Sequence, residues 1–199
     1  MILWINGAFG SGKTTVAFEL HRRIEKSFVY DPENVGYFIR KNAPRQFSKG
    51  DFQNIALWRE MNYKMLKLIS SEYDGVIIAP MTLVNPEYYE EIITKLISDG
   101  IEVRHFILYA DRETILKRLK LRSLGKLGNE SFAVNSIDRC IYSFDNYIKD
   151  VKIMTDDKKI DEIVEEIAQK SNVDLLPDNR SKIKKIVDRT VILIKHIRS

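Results

Sequence analysis

The sequence has little cysteine and no long apolar run, and both features narrow the class of protein. A single cysteine among 199 residues, Cys140, excludes an internal disulfide and any metal site built from several thiolates. Such a chain suits a reducing compartment. No apolar run reaches the roughly 20 residues that a membrane-spanning helix needs. Met1 leads directly into apolar residues with no basic segment before them, so we expect no signal peptide and a cytoplasmic location.

Glycine and proline are also few, and most of the chain has no excess of charge of one sign. The 9 Gly, 5 Pro, 44% hydrophobic and 30% charged residues exclude collagen-like and disordered chains. The net charge of +4 is uneven: residues 1–180 hold 26 basic and 27 acidic side chains, and residues 181–199 hold six basic and one acidic. Because the body is near neutral, we expect no nucleic-acid partner.

Short apolar runs alternate with segments of helical periodicity along the chain. The runs predict strands at 2–5, 28–30, 75–79, 103–108 and 151–154. The helical spacing of apolar residues predicts helices over 13–24, 51–71, 86–98, 112–122 and about 159–170. Strands joined by helical crossovers predict an α/β fold with an open, mainly parallel five-stranded sheet and helices on both faces.

A glycine-rich segment follows the first strand and matches G-x-x-x-x-G-K-[ST] at every defined position. Its glycines let successive backbone N–H groups point at phosphate oxygens, and the helix that follows adds its positive end. In this pattern Lys13 neutralises the β- and γ-phosphates of ATP, and the Thr14 hydroxyl binds Mg²⁺. The predicted ATP-binding residues are Gly7, Ala8, Phe9, Gly10, Ser11, Gly12, Lys13, Thr14 and Thr15, with Arg118 from a later helix.

A second acidic group is needed to choose among proteins with this loop. The apolar strand at 75–79 ends in Pro80-Met81-Thr82, without a carboxylate, whereas the second strand ends at Asp31. Asp31 is therefore the candidate general base or Mg²⁺ ligand, as in small-molecule kinases. The alternative is an ordinary turn-forming Asp before Pro. No N-K-x-D motif for guanine is present, which disfavours a GTPase.

Arginines around a glycine-containing segment are the remaining catalytic candidates. Arg118 and Arg122 lie on one face of the predicted helix 112–122, and Arg139 follows a predicted lid loop at about 123–136. A phosphoryl-transfer enzyme needs such charges for its anionic transition state, and a lid to exclude water. The alternative is a solvated charged helix. One of three further arginines is expected to contact the substrate: Arg40, Arg45 or Arg59.

The last segment, 181–197, has the pattern of an amphipathic helix. Apolar residues, from Ile183 to Ile197, share one face, and charged residues such as Lys185 and Arg189 share the other, with Ile192 as the exception. A cationic amphipathic helix suits an anionic membrane surface. The alternative is a helix docked on the body through its apolar face, with its lysines in water.

These segments together resemble bacterial tunicamycin resistance proteins. The similarity spans nearly the whole chain, and the Phe9 form of the loop with Pro-Met-Thr after the third strand is its most specific part. The segments that carry it are 4–14, 18–23, 30–33, 51–53, 57–59, 80–82, 86–88 and 137–140.

The resemblance implies an ATP-binding protein with a nucleoside-kinase-like core that confers resistance to tunicamycin, a uridine-containing nucleoside with a fatty acyl chain. It implies a P-loop kinase-like domain over 1–175 and an amphipathic helix over 178–199 that touches the membrane peripherally. The wider nucleotide-kinase pattern puts Arg118 and Arg122 at the lid entrance and Arg139 at its exit.

Two functional hypotheses follow. The first is transfer of the γ-phosphoryl group from MgATP to a hydroxyl of a nucleoside-like molecule, with Lys13, Asp31, Arg118, Arg122 and Arg139 as catalytic residues and Thr14 and Asp31 on Mg²⁺. The second is a non-catalytic, ATP-dependent protein that sequesters the drug at the membrane surface. The missing carboxylate after the third strand and the cationic tail motivate the second.

Overall fold

A computed structural model of the chain describes residues 1–44, 46, 50–122 and 131–196, with the backbone only at 122, 131, 132 and 194–196. Five strands form one sheet in which every neighbouring pair is parallel, in the order β2-β3-β1-β4-β5. The predicted α/β fold is confirmed. The strands are β1 (Ile2–Gly7), β2 (Ser27–Val29), β3 (Val76–Pro80), β4 (Val103–Tyr109) and β5 (Val151–Met154).

The helices lie between and after these strands. Those before β4 are α1 (Lys13–Arg23), α2 (Glu33–Asn42), α3 (Ala56–Glu72), α4 (Pro86–Tyr89) and α5 (Lys95–Ser98), with a 3₁₀ turn at Phe52–Asn54 and a π-helical segment at Glu90–Thr94. Those after β4 are α6 (Arg112–Arg122), α7 (Ser131–Asn135), α8 (Ile137–Asn146), α9 (Ile160–Ser171) and α10 (Lys182–His196).

Alternate residues of β1 face the two sides of the sheet, and helices cover both sides. Ile2 and Trp4 pack with α3 and the segments that follow β3, whereas Leu3 and Ile5 pack with α1 and α9. A third cluster beneath α6 and α8 includes the buried thiol of Cys140. Because both faces of the sheet are covered, the inner strands β1 and β3 are nearly continuous apolar runs, which is why they could be recognised in the sequence.

Two elements differ from the sequence prediction. The segment after β2 is the helix α2, where the sequence predicted a strand end at Asp31-Pro32 and no helix. Its start is set by Asp31, whose carboxylate accepts a hydrogen bond from the N–H of Glu33. Residues 123–130 of the predicted lid loop lie outside the described residues, and residues 131–135, predicted as loop, form α7.

The terminal helix α10 packs on the body, but through its charged face. Lys185, Asp188 and Arg189 face α1 and the start of α9, and Ile192, the apolar exception of the pattern, is buried there. Ile183, Ile186, Val187 and Val191 are instead 42% to 75% exposed. The predicted alternative of docking through the apolar face is therefore wrong.

Charged side chains hold α10 in place because two buried carboxylates need partners. Glu19 of α1 is almost fully buried and is paired with Arg180 and Arg189. Arg180 also pairs with Asp178 and Asp188, and its hydrogen bonds to Asp178 hold the pKa of that carboxyl well below its usual range. None of the helices in the described residues is both long and apolar enough to span a bilayer.

Candidate functional site

The loop between β1 and α1 has the backbone that its glycines predict. Gly7, Gly10 and Gly12 have φ values of 148°, 82° and 98°, which L side chains rarely adopt. A Cβ at Gly7 would also lie 2.5 Å from the Oγ of Ser11 and 2.7 Å from the carbonyl oxygen of Leu108. The loop therefore cannot keep this shape if Gly7 carries a side chain.

Lys13 lies inside the loop. Its Nζ donates hydrogen bonds to the carbonyl oxygens of Gly7 and Ala8, each at 3.0 Å, and lies 5.4 Å from the centre of the Phe9 ring. The ammonium is thus held within the loop at the start of α1, where a phosphate group would need a compensating charge.

The start of α1 is a suitable anion site. Gly12 at its N-cap offers no side chain, and the first turn, Lys13-Thr14-Thr15, carries no acid. The N-cap residue forms no side-chain cap, and N–H groups at the start of a helix are the kind of donor that binds phosphate oxygens. The donor set fits the triphosphate of ATP, and the Thr14 hydroxyl and the Asp31 carboxylate are the oxygen ligands that Mg²⁺ prefers.

Asn6, which the sequence analysis did not single out, fixes the loop to its neighbours. Its Oδ1 accepts hydrogen bonds from the N–H groups of Gly7 and Leu83, and its Nδ2 donates to the carbonyl of Leu83 and to Nε2 of His105. Nδ1 of His105 is 2.7 Å from Asp150. A polar residue within an apolar strand, just before the glycine-rich loop, is the signal that could have revealed it.

A cavity of about 940 Å³ opens over the loop. Polar and charged groups line it together with aromatic and aliphatic side chains, which is the usual make-up of a small-molecule site. Its walls include Phe9, Gly10, Ser11, Gly12, Lys13, Thr14, Thr15, Phe18, Asp31, Glu33, Tyr37, Arg40, Asp51, Phe52, Gln53, Pro80, Met81, Arg118, Leu121, Lys158, Ile160 and Leu193.

Most of the predicted ATP-binding residues lie on these walls, and two lie beneath them. Gly7 and Ala8 contribute the carbonyls that hold Lys13 and are not part of the cavity wall. Asp31 lines the cavity and also begins α2, so both interpretations of this residue apply: it forms a turn, and its carboxylate lies in the candidate site.

Of the three predicted catalytic arginines, Arg118 lines the cavity. Its guanidinium donates to the hydroxyl and the carbonyl of Thr155, directly after β5, and burial lowers its pKa from the ordinary value. The side chain of Arg122 lies outside the described residues. Arg139 is half-exposed, and its Nη2 lies 3.8 Å from Oδ2 of Asp51, a residue of the cavity wall.

The segment between β2 and β3 supplies residues on the far side of the cavity. Arg40 lines it, with its guanidinium on the Phe52 ring and one N–H donated to the carbonyl of Gly50. Arg59 pairs with Glu91 and donates to the carbonyl of Gln53. Arg45 lies outside the described residues.

Sequence reasoning missed several residues of the cavity wall, among them Tyr37, Asp51, Phe52 and Gln53. Tyr37 lies on α2, the helix that was not predicted, and the other three lie at or beside a 3₁₀ turn that was predicted as the start of a long helix. The Asp51-Phe52-Gln53 segment did enter the resemblance, but nothing in its spacing indicated a role.

Comparison with known proteins gives a family and several structural relatives. The model of a family described as AAA domain matches residues 2–144. A search of curated proteins found no match.

Among solved structures, the tunicamycin resistance protein of Deinococcus radiodurans is similar with 27% identity and a TM-score of 0.73, over 89% of this chain and 99% of that chain. The predicted resemblance to tunicamycin resistance proteins is confirmed. The APS kinase of Mycobacterium tuberculosis (17% identity, 86% of this chain, 96% of that chain, TM-score 0.59) shares the fold. The shikimate kinase of Bacteroides thetaiotaomicron also shares the fold (15% identity, 87% of this chain, 99% of that chain, TM-score 0.56).

Proposed function

The chain belongs to the AAA domain family, and we propose that it is a phosphotransferase that moves the γ-phosphoryl group of ATP to a hydroxyl of a nucleoside-like molecule such as tunicamycin. One observation carries the proposal: the glycine-rich loop, the Asp31 carboxylate and the half-buried Arg118 line a single cavity. The cavity has room for an acceptor beside the loop. The relative from Deinococcus radiodurans is named a tunicamycin resistance protein, which supports this antibiotic as the acceptor to test.

Each residue has a role that follows from its position. The N–H groups at the start of α1 bind the phosphates, and Lys13 neutralises the negative charge of the β- and γ-phosphate oxygens. Thr14 and Asp31 would hold Mg²⁺, which when bound shields the β- and γ-phosphates. Arg118, and Arg122 and Arg139 at the edges of the lid segment, stabilise the migrating phosphoryl group.

The reaction joins the acceptor oxygen to the γ-phosphorus while the bond from that phosphorus to the bridging oxygen breaks. The hydroxyl proton passes to a carboxylate, and ADP leaves. Asp31 serves either Mg²⁺ or the acceptor hydroxyl, the two roles that a carboxylate after β2 can take.

The direct test is ADP release by the purified protein in MgATP with and without tunicamycin. We expect ADP release that depends on tunicamycin. In Lys13→Met the rate of ADP release should fall roughly 100-fold, because the positive charge that stabilises the transition state is removed. Lys117→Met, which removes an exposed lysine of α6, is the matched control and should behave as wild type. Equal ADP release from Lys13→Met and wild type would contradict the proposal.

A second candidate is ATP-dependent sequestration of the drug without chemistry. It is favoured by β3, which ends at Pro80 and is followed by Met81 and Thr82 with no carboxylate for Mg²⁺. This protein would bind tunicamycin in the presence of ATP and protect cells while releasing no ADP. Normal drug resistance in cells that carry a variant with no measurable ADP release would favour it.

We also propose that α10 binds the surface of an anionic phospholipid bilayer on the cytoplasmic side. Because its charged face is bound to the body, the apolar side chains of Ile183, Ile186, Val187 and Val191 point outward, flanked by the exposed Lys182 and Lys184. Such a face suits the boundary between headgroups and acyl chains, with the lysines toward anionic lipid.

Co-sedimentation with phosphatidylserine vesicles tests the membrane proposal. The variant with Ile183→Ser and Val187→Ser should lose most of the vesicle binding of the wild type. Leu68→Ser, which removes an equally exposed apolar side chain from α3, is the control and should bind as wild type. Unchanged sedimentation of the α10 variant would rule out this surface.

A further inference from the structure

We propose that Asp51 is the carboxylate that binds a hydroxyl of the acceptor, in a subsite where the acceptor ring lies against Phe52. This inference rests on the proposed function and adds a second carboxylate to it, so that Asp31 can serve Mg²⁺. Both carboxylates line the same cavity, Asp31 at the start of α2 and Asp51 at the start of the 3₁₀ turn.

The Asp51 carboxylate is held so that one oxygen remains for a ligand. Oδ1 accepts a hydrogen bond of 3.0 Å from the N–H of Gln53, which fixes the side chain at the turn. Oδ2 lies 3.8 Å from Nη2 of Arg139, which is an ion-pair distance but too long for a hydrogen bond. A ligand hydroxyl can therefore donate to Oδ2 without displacing the hydrogen bond that positions Asp51.

The turn that carries Asp51 is tied to the phosphate-binding loop. Nε2 of Gln53 donates to the carbonyl of Thr82 at 3.0 Å, and the hydroxyl of Thr82 donates to the carbonyl of Gly7 at 2.8 Å. That carbonyl also accepts a hydrogen bond from Lys13. The turn that carries Asp51 is thus linked by hydrogen bonds to Lys13, the group proposed to neutralise the phosphates.

The charges of Lys13, Arg139 and Asp51 all act on the buried thiol of Cys140. Burial raises the pKa of the Cys140 thiol to about 11, while Lys13 and Arg139 lower it and Asp51 raises it. Arg139, which does not line the cavity itself, lies beside the cavity wall through its pairing with Asp51.

Aromatic side chains beside Asp51 give the chemical class of the ligand. The Phe52 ring packs on α2, where a Cβ at Gly36 would lie 2.6 Å from it, and meets Tyr37 at 6.3 Å between ring centres. Both rings line the cavity. A carboxylate next to aromatic side chains suits a molecule that combines hydroxyls with a flat ring, as a nucleoside does.

The test compares equilibrium binding of tunicamycin and of a non-hydrolysable ATP analogue by calorimetry. Asp51→Asn keeps an oxygen for the N–H of Gln53 and removes the charge. We expect its tunicamycin dissociation constant to rise roughly 10-fold or more, because a hydrogen bond to a charged group is lost, and its ATP-analogue affinity to stay within about twofold. Asp74→Asn, at an exposed carboxylate paired with Lys26, is the control and should match wild type in both.

Because the experiment measures binding and not phosphate transfer, each outcome tests the role of Asp51 independently of the proposed reaction. Unchanged tunicamycin affinity in Asp51→Asn, or an equal loss of affinity for both ligands, overturns the assignment, the latter because Asp51 then only supports the fold. Failure of the wild type to bind tunicamycin overturns the subsite itself. A wild type that binds tunicamycin in the predicted pattern but transfers no phosphate supports the subsite and contradicts the proposed reaction.

Discussion

At the scale of single residues, the glycine-rich loop could be predicted from the sequence, whereas Asp51 and Phe52 of the cavity wall could not. Residues 7–14 follow a pattern in which each residue type has a physical reason, so sequence reasoning reached Lys13 and Thr14 without structural help. Asp51 and Phe52 follow no such pattern. They enter the cavity because the chain turns at Phe52–Asn54, and a single turn leaves no periodic signal in the sequence.

Gly36 allows the aromatic wall to form, although glycine is a poor residue for a helix. Because alanine has the higher helix propensity, replacing Gly36 with alanine should by itself stabilise α2 by at most about 1 kcal/mol. The new Cβ would lie 2.6 Å from the Phe52 ring, and overpacking costs roughly 1–3 kcal/mol, so we expect net destabilisation in a urea titration. In a Phe52→Leu background the clash is relieved, and the same Gly36→Ala change should stabilise the protein. Stabilisation by Gly36→Ala in the wild-type background would show that the ring is not held there.

At the scale of elements, the pattern of α10 predicted a helix but not which face would dock. Its apolar stripe suggested the docked face, and the structure shows the reverse because Glu19 and Asp178 are buried and need cations. The pairing of charges between distant segments cannot be read from periodicity. The same limit applies to α2, since the Asp-Pro sequence at its start is equally common in turns.

The docking of α10 should depend on pH in acid. Hydrogen bonds from Arg180 lower the pKa of Asp178, and those from Lys184 and Arg180 lower the pKa of Asp188. A carboxyl group with a lower pKa in the folded state stabilises it above the unfolded pKa, near 4, and this contribution is lost as the pH falls through the folded pKa. Hydrogen exchange followed by mass spectrometry should therefore report earlier opening of 182–193 than of α3 as the pH falls below about 4. Simultaneous opening of both helices would contradict this account.

At the scale of the whole molecule, the parallel sheet brings the site together. The glycine-rich loop follows β1, Asp31 follows β2, Met81 follows β3 and Thr155 follows β5, all at the carboxyl edge of one sheet. Ligands bind at this edge in open α/β sheets. The strand pattern and the loop predicted this edge of the sheet. That Asp31 and Asp51 line one cavity there could not be predicted, because it depends on the segments that connect the strands.

Binding at this edge should stabilise the whole fold. A magnesium complex of a non-hydrolysable ATP analogue, at a hundred times its dissociation constant, adds about 2.7 kcal/mol to the free energy of unfolding. For a domain of this size we expect Tm to rise by roughly 5–10 °C. Lys13→Met should show little or no rise at the same ligand concentration, and Lys117→Met should match wild type. An equal rise in Lys13→Met would mean that the nucleotide binds elsewhere.

The central claim is that the protein transfers the γ-phosphoryl group of ATP, within this cavity, to a hydroxyl of a nucleoside-like molecule. The most direct measurement is the mass of tunicamycin after incubation with the protein and MgATP, with Lys13→Met as the negative control. The account predicts a drug species heavier by one phosphoryl group, formed by the wild type and absent with the variant. Unmodified tunicamycin after complete saturation of the wild type by both ligands would contradict it.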